Sequence, residues 1–458
     1  MKVVICGAGQ VGFGIAERLA GEQNDVSIVD ADPRRIQVAT EQLDVRGVVG
    51  HGSHPDVLAR AGAEQADMLI AVTLSDEVNM VACQVGHSLF NVPTKVARIR
   101  AQTYLQPEWR EMLSRDHLPV DVVISPEVEV GETVLRRLSL PGAVDTVTFA
   151  DGAVVVAGVV CGEECPVVGT PLRELTQLFP DLRATVVAVL RAGKPVVLKS
   201  TDHIQVGDVA YFVAAANQVK RTLSIFGHDE IPGQRIVIAG GGNIGTYVAH
   251  ELEQRNAAAK VKIIETSRER AQTIAETLQR TVVLHGDALA RDILDEAGVS
   301  DADTMLSLTN DDRINILSCL LAKQLGARRI LSLVNEQGYA AFAQGLGIDA
   351  HVNPRQITVS KILQHVRRGR IHRVHALLDG TGEVIEAEAL ETSPLVGRPL
   401  RDLDVMEGLR IGAIVRNGEV LLPTGDTVVR AQDRVVLFAL AERIKRVEQL
   451  FRVSLEFF

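Results

Sequence analysis

Two short stretches of this 458-residue chain have the residue types and spacing to cradle a phosphate. Gly7, Gly9 and Gly12 follow an apolar run at residues 3–6, and Gly240, Gly242 and Gly245 follow a second run at residues 236–239. In a strand–turn–helix setting the first glycine of such a triplet allows a tight turn. The second lets a pyrophosphate approach the backbone, and the third lets helix and strand close on one another. A helix is expected after each loop, because Ile15, Ala16 and Leu19 recur at helical spacing, as do Val248, Ala249 and Leu252. Its N-terminus would aim unpaired N–H groups and the positive end of its dipole at the anion.

An acid completes each pattern. Asp30 lies 18 residues after Gly12 and Glu265 lies 20 after Gly245, each closing a second apolar run. A carboxylate there accepts hydrogen bonds from both ribose hydroxyls and repels a 2′-phosphate, which favours NAD(H), ATP or ADP over NADP(H). Asp32 is placed to cap the next helix, with Pro33 at its first position. Thr73 and Thr309 end the fourth apolar run of each copy, where a hydroxyl either bonds a phosphate or ribose or caps the helix that follows. Asn79 and Asn315 sit one to two turns into that helix, facing either a ligand or a neighbouring subunit. Arg98, in "KVARIR", ends the fifth run, where a guanidinium would pair with phosphate oxygens. Its counterpart in the second copy is read as the uncharged Ser332, so the two sites are expected to be unequal.

The elements that must position these residues occur twice. The glycine triplets are 233 residues apart, His51–Gly52 and His285–Gly286 are 234 apart, and from residue 61 the offset holds at 236 through Thr73/Thr309, Asp76/Asp312, Asn79/Asn315 and Cys83/Cys319. A second repeat follows each copy: "PVVGTPLREL" from Pro166 matches "PLVGRPLRDL" from Pro394. These later modules carry short Val-rich runs broken by turn residues and end in a helical stretch. One such run, residues 153–161, reads as a buried strand. Linkers are expected at "RRLSLPGAV", "FGHDEIPGQR" and "ILQHVRRGRIHRVH". The last holds the one basic cluster, residues 364–375, read as a solvated linker or a contact for an acidic partner, a nucleotide or lipid headgroups.

Composition narrows the class. A hydrophobic content of 46% and a charged content of 23% are those of a globular chain, and a net charge of −10 argues against a nucleic-acid binder. No apolar run approaches the roughly 20 residues a spanning helix needs. The chain opens directly on a strand, so a cytoplasmic protein is expected, with any membrane association made through a partner. Five cysteines without a leader favour reduced thiols. Cys161 and Cys165, spaced C-x3-C without a second ligand pair, read as small residues near a strand end rather than as a zinc site. A dehydrogenase would need an acid–base group beside the nicotinamide. The histidines show no metal spacing and no nucleophile motif appears. His51 and His285 recur at a strand end, where capping or edging an adenine suits them better than catalysis. Asp202 and Asp426 recur in turns and are read as shaping backbone. Two nucleotide pockets without a catalytic set fit sensing. A soluble NAD-dependent oxidoreductase and a nucleotide-sensing regulator of another transporter are the alternatives.

The stretches "GAGQVG", "VDAD", "GHGSHPDVLARAGA", "ADMLIAVT", "SDEVNMVACQVGHSLFN", "ARIR", "GGGNIG" and "LTNDD", in this four-module order, resemble the TrkA family. These are the NAD-binding RCK/KTN regulatory subunits of Trk-type bacterial potassium uptake systems. The resemblance covers essentially the whole chain. It implies an α/β fold of two Rossmann-like RCK-N modules, each a parallel sheet with helices on both faces, over residues 1–123 and 232–350. Each is followed by a small α+β RCK-C module, over 143–227 and 370–453. It implies no enzymatic activity, a homotetrameric ring on the cytoplasmic face of the inner membrane, no insertion into it, and a membrane-embedded potassium transporter partner of the TrkH/TrkG type. Carried over, the first nucleotide site is Gly7, Ala8, Gly9, Gln10, Val11 and Gly12 with Asp30, Thr73, Leu74 and Arg98. The second is Gly240, Gly241, Gly242, Asn243 and Ile244 with Glu265. NAD(H) and ATP/ADP are the implied ligands.

Overall fold

The computed structural model describes residues 1–106, 108–179, 182–230, 232–366, 371–377, 381–403 and 408–451. The chain divides into two compact units. One comprises residues 1–130 and 354–367, the other residues 131–353 and 368–458.

In the first unit, β1 (Lys2–Cys6), α1 (Gln10–Gly21), β2 (Asp25–Asp30), α2 (Pro33–Gln42), β3 (Arg46–Val49), α3 (Pro55–Arg60), β4 (Met68–Ala71), α4 (Asp76–Ser88), β5 (Thr94–Arg98) and β6 (Val122–Ile124) alternate along the chain. The strands pair in parallel in the order β3-β2-β1-β4-β5-β6. That order reverses direction between β1 and β4, the switch point at which open α/β sheets bind ligands. Ile5, Ile28, Ile70 and Val96 face one helical layer, and Val4, Val29, Leu69 and Ala97 face the other, so both faces of the sheet are core.

α5 (Pro126–Ser139) leads out of this module. The second unit then holds β7 (Ala143–Phe149), β8 (Val154–Val160), α6 (Leu172–Leu178), β9 (Ala184–Arg191), β10 (Lys194–Val196), β11 (Val209–Ala215) and α7 (Val219–Ile225). The sheet is antiparallel, in the order β10-β9-β11-β8-β7. The Val-rich run is β8, buried along all but its last residue, as expected.

A second Rossmann module follows: β12 (Arg235–Ala239), α8 (Asn243–Arg255), β13 (Lys260–Glu265), α9 (Arg268–Thr277), β14 (Val282–His285), α10 (Arg291–Ala297), β15 (Thr304–Ser307), α11 (Asp312–Leu325), β16 (Ile330–Leu333), α12 (Gln337–Gly345) and β17 (Ala350–Val352). Its parallel order β14-β13-β12-β15-β16-β17 reproduces that of the first sheet. After α13 (Pro354–Val366) come β18 (Ile371–Leu377), β19 (Gly382–Glu388), β20 (Leu409–Arg416), β21 (Glu419–Leu421), β22 (Arg434–Leu440) and α14 (Ile444–Leu450), with antiparallel order β18-β19-β22-β20-β21. The two antiparallel sheets share one core, in which Val147, Val156 and Val213 meet Val384, Ala413 and Phe438.

Two expected linkers are partly helical. "RRLSLPGAV" begins inside α5, and "ILQHV" is the end of α13. Both helices have packing work: α13 places Val359, Ile362 and Leu363 in the core beside Ile15 and Leu19 of α1. The later part of α5 lies on α8, where the Tyr247 hydroxyl donates to Glu132 at 2.7 Å and a Cβ on Gly131 would fall 2.3 Å from the Tyr247 ring. The basic cluster is divided. Arg367, Arg368, Gly369 and Arg370 lie outside the described residues, as do both predicted ends of the last module, 370 and 453. Arg373 belongs to β18, with its guanidinium 5.7 Å from the Phe149 ring centroid, so this part is sheet rather than solvated linker.

Candidate functional site

The first glycine loop turns as its spacing requires. Gly7 has φ +109°, a conformation costly for any residue with a Cβ. A Cβ on Gly12 would lie 1.8 Å from the Gly7 carbonyl oxygen, so only glycine lets α1 close onto the turn. Gly9 has open space where its side chain would be and stands at the N-cap of α1, whose N-cap side chain supplies no hydrogen bond. The first-turn N–H groups of α1 thus face open space at the loop, the geometry that suits a phosphate.

Around that space lies a cleft of about 590 Å³ lined by Gly7, Gly9, Gln10, Val11, Asp30, Thr73, Leu74 and Arg98 among others. Sequence analysis named all of these. Ala8 and Gly12 lie behind them: Ala8 is packed into the core, and Gly12 is in buried helix. Asp30 accepts the Ala8 N–H at 2.7 Å and the Asp32 N–H at 2.9 Å, one on each carboxylate oxygen. This fixes the carboxylate plane and leaves a further lone pair on each oxygen for a hydroxyl donor. Asp32 caps α2 through the Arg34 N–H at 2.9 Å, as expected.

Among the described residues, Arg98 is the one strongly desolvated cation lining the cleft. It is only 9% exposed. One terminal nitrogen donates to the Thr73 carbonyl at 3.0 Å, and its buried Nε has no partner. Burial, and then the neighbouring Arg100, lower its hold on the proton. A buried guanidinium with an unmet donor beside an open helix N-terminus is an anion-binding arrangement.

The Thr73 hydroxyl is already committed, donating to Asn79 Oδ1 at 2.7 Å. Asn79 also accepts the Thr73 N–H at 2.9 Å and donates to the carbonyls of Thr73 and Arg98. It is fully buried, so it faces neither a ligand nor another subunit. It ties the ends of β4 and β5 together beneath the cleft. Asp76 does the same one turn earlier, its carboxylate accepting the Arg100 and Ala101 N–H groups.

The second loop repeats the backbone device. Gly240 has φ +102°, Gly242 has open space, and a Cβ on Gly245 would fall 2.0 Å from the Gly240 oxygen. Glu265 accepts the Gly241 N–H at 2.9 Å and the Ser267 N–H at 2.8 Å, matching Asp30. The longer acid fits because a methyl is missing from the loop: a Cβ on Gly241, where the first copy has Ala8, would fall 3.0 Å from Glu265 Oε2 and 2.4 Å from Ile274. Asn243 opens α8, with Ile244 behind it.

Strand register corrects one pairing. Leu69 sits opposite Lys95 in the first sheet, and its counterpart Met305 sits opposite Ile330 in the second. Arg98 therefore corresponds to Leu333, and Ser332 corresponds to Ala97. The asparagines agree, since Asn79 donates to the Arg98 carbonyl and Asn315 to the Leu333 carbonyl, both at 2.9 Å. The offset between the copies is 236 through the fourth helix and 235 along the fifth strand, so the register and not the residue types sets this pairing. At the end of β16 the second module has buried Leu333 where the first has Arg98.

Sequence analysis missed Arg35 and Arg270, which recur at an offset of 235. Arg35 lies 3.6 Å from Asp30 and 3.8 Å from Asp32. Ser267 replaces Asp32 as the helix cap of the second copy. Arg270 turns instead to the loop, donating to the Gly241 carbonyl at 2.9 Å and to Asn243 Oδ1 at 3.0 Å.

His51 lines the first cleft, and neither it nor His285 has a carboxylate partner among the described residues. His51 is exposed and bonded to Ser53 at 2.9 Å, and His285 meets the Thr266 carbonyl at 3.1 Å. All five cysteines are buried and free, and burial pushes the thiols of Cys6 and Cys319 up to about 12, which removes them as nucleophiles. Asp202 accepts the Lys199 N–H at 2.8 Å and so shapes its turn, as expected. In the antiparallel modules the recurring charges are the bidentate pairs Arg191–Asp208 and Arg416–Asp433, each clamping two strands. Among the described residues no helix is long and apolar enough to cross a membrane.

A duplicated pair of Rossmann sheets, each followed by an antiparallel module, defines the RCK class. The architecture aligns with the crystal structure of the GsuK RCK domain over 98% of this chain and 94% of that one, with a TM-score of 0.60 at 19% identity. It aligns equally with the GsuK channel bound to NAD, over 98% of this chain and 78% of that one, at 18% identity and TM-score 0.60. The TrkA-N domain profile matches residues 3–126 and 236–354, and the TrkA-C domain profile matches residues 156–227 and 384–452. The chain is 82% identical over its full length to the full-length Trk system potassium uptake protein TrkA of Azorhizobium caulinodans. It is 43% identical to that of Halomonas elongata, again over all of both chains. The chain belongs to the TrkA family of Trk-system potassium uptake proteins, a regulatory and not an enzymatic family.

Proposed function

We propose that the chain is a nucleotide-operated regulatory subunit that sets potassium flux through a separate membrane-embedded transporter. The observation that carries this reading is Arg98: a buried guanidinium with an unmet donor, lining a cleft whose opposite wall is an open glycine loop and whose rim holds a ribose-type carboxylate. NAD(H), ATP and ADP fit that set, with the pyrophosphate on Gly7–Val11, the ribose on Asp30 and further charge at Arg98. Likeness to a channel solved with NAD bound supports the choice of ligand class. The equivalent groups of the second copy, Gly240–Ile244 and Glu265, form the second site.

The ligand acts by binding alone, through different affinity for two arrangements of the subunit. A phosphate held between α1 and Arg98 draws the α1 loop toward the ends of β4 and β5, which Asn79 keeps rigid. Assembly into a homotetramer at the cytoplasmic membrane face would let several sites bias one interface. Exposed Val81 on α4 and exposed Leu317 at the same place on α11 offer apolar surface for it. In proteoliposomes holding the cognate transporter, potassium flux is expected to change with nucleotide only when this chain is present. Asp30→Ala should weaken binding at the first site about tenfold, roughly the loss of one charge-assisted hydrogen bond. Unchanged affinity in titration calorimetry would refute that assignment, and nucleotide-independent flux would refute the regulatory role.

A further inference from the structure

The two crevices differ at both ends of the path along which phosphates would run. At the far end, where β5 and β16 finish, the first copy has Arg98 and the second has Leu333. The Arg98 Nε is buried without a partner, and Leu333 is an apolar side chain only 3% exposed. At the near end the order is reversed. Arg35 is paired with Asp30 and Asp32, whereas Arg270 has no carboxylate at ion-pair distance among the described residues and is held on the loop itself by the Gly241 carbonyl and Asn243. The first copy has a cation at both ends of the path, and the second has one only at the near end, where it is held by the loop and not by carboxylates.

Between those ends the two sites are alike. Both loops leave the same open seat, at Gly9 and at Gly242, and both acids are held by the same two backbone N–H groups. The ribose and the first two phosphates would therefore meet equivalent surroundings. A third phosphate would not. In the first crevice it meets the positive charge of Arg98, which lines the cleft. In the second the equivalent strand end carries Leu333, an apolar side chain that offers a phosphate no compensation for the water it must shed.

Resting on the nucleotide reading above, we propose that the second crevice is a diphosphate site, taking ADP or the diphosphate bridge of a dinucleotide and rejecting a third phosphate that the first crevice accepts on Arg98. The residue at the end of β5 or β16 is the reader, and Arg270 compensates the diphosphate from the loop side. One chain would then respond to ATP at one site and to ADP at both.

The unmodified full-length protein tests this by titration calorimetry without divalent cations. ADP is expected to fill two sites per chain. ATP, at concentrations about ten times the ADP dissociation constant, is expected to fill one. Two ATP sites of similar affinity would overturn the proposal, whereas failure of either nucleotide to bind would overturn the reading of these crevices as nucleotide sites. Gly9→Asp assigns the sites, because the position is open and the new carboxylate would occupy the phosphate seat. It should remove ATP binding and keep one ADP. Retained ATP binding in that variant would overturn the assignment. Arg98→Gln, which keeps a donor for the Thr73 carbonyl, should lower ATP affinity about tenfold and change ADP affinity less than threefold. Equal losses for both nucleotides would show that Arg98 does not read the third phosphate.

Discussion

The first and second Rossmann modules share a backbone and differ in charge. Both have the left-handed first glycine, the third glycine pressed on a carbonyl oxygen, and the buried asparagine joining the fourth and fifth strands. These features depend on sterics and on satisfying backbone polar groups in a dry interior, and neither can vary without loss of the turn. Several side chains at or beside the crevice differ between the copies. Arg98 becomes Leu333, Asp32 becomes Ser267, and exposed Leu74 at the cleft rim becomes Asn310. The two copies share the backbone of the crevice and differ in several of the side chains beside it.

The sharpest way to break the comparison is through the third glycines. Gly12→Ala and Gly245→Ala each drive a methyl to within 2 Å of a carbonyl oxygen, and each should remove its own site, about 100-fold in affinity, while leaving the other intact. Two ADP sites retained on calorimetry with Gly245→Ala would show that the second glycine loop does not bind nucleotide. Next, Asn79→Ala and Asn315→Ala should destabilise their modules alike, by about 3 kcal/mol each, since each strands several buried backbone groups. Urea titration followed by circular dichroism measures this, and a much smaller loss for Asn79 would return it to a role in facing ligand. Arg98→Leu makes the first site resemble the second. It should cost about tenfold in polyphosphate affinity and flatten its salt dependence. The smallest effects belong to the near-end arginines. Arg35→Ala removes an exposed ion pair and should alter affinity by about twofold or less, whereas Arg270→Ala should cost about fivefold at the second site. Equal effects from those two would remove the difference between the copies at the near end.

Much of this was legible in the residues. The glycine spacing, the closing acids and the offset of about 235 residues determined by themselves that the chain holds two phosphate loops in two like modules, because a turn of that tightness admits few residue types. The buried strand at 153–161 and the Asp32 cap are local facts of pattern and hydrogen bonding, and they needed no tertiary information. Only the tertiary structure decided the rest. Asn79 and Asn315 stood at positions open to several roles until strand ends from distant segments closed around them. Arg98 reads as the partner of Ser332 in sequence, and sheet register assigns it to Leu333, because the offset between copies drifts in the loops and the composition of two short apolar strands does not fix their alignment. Arg35 and Arg270 were surface charges in sequence, and their different roles depend on whether an acid or a serine caps the next helix. Helices α5 and α13 read as linkers because their apolar faces have no local partner. Spacing along the chain identifies groups that act with their neighbours, and pairings across a fold emerge only once the sheet has set which chain segments meet.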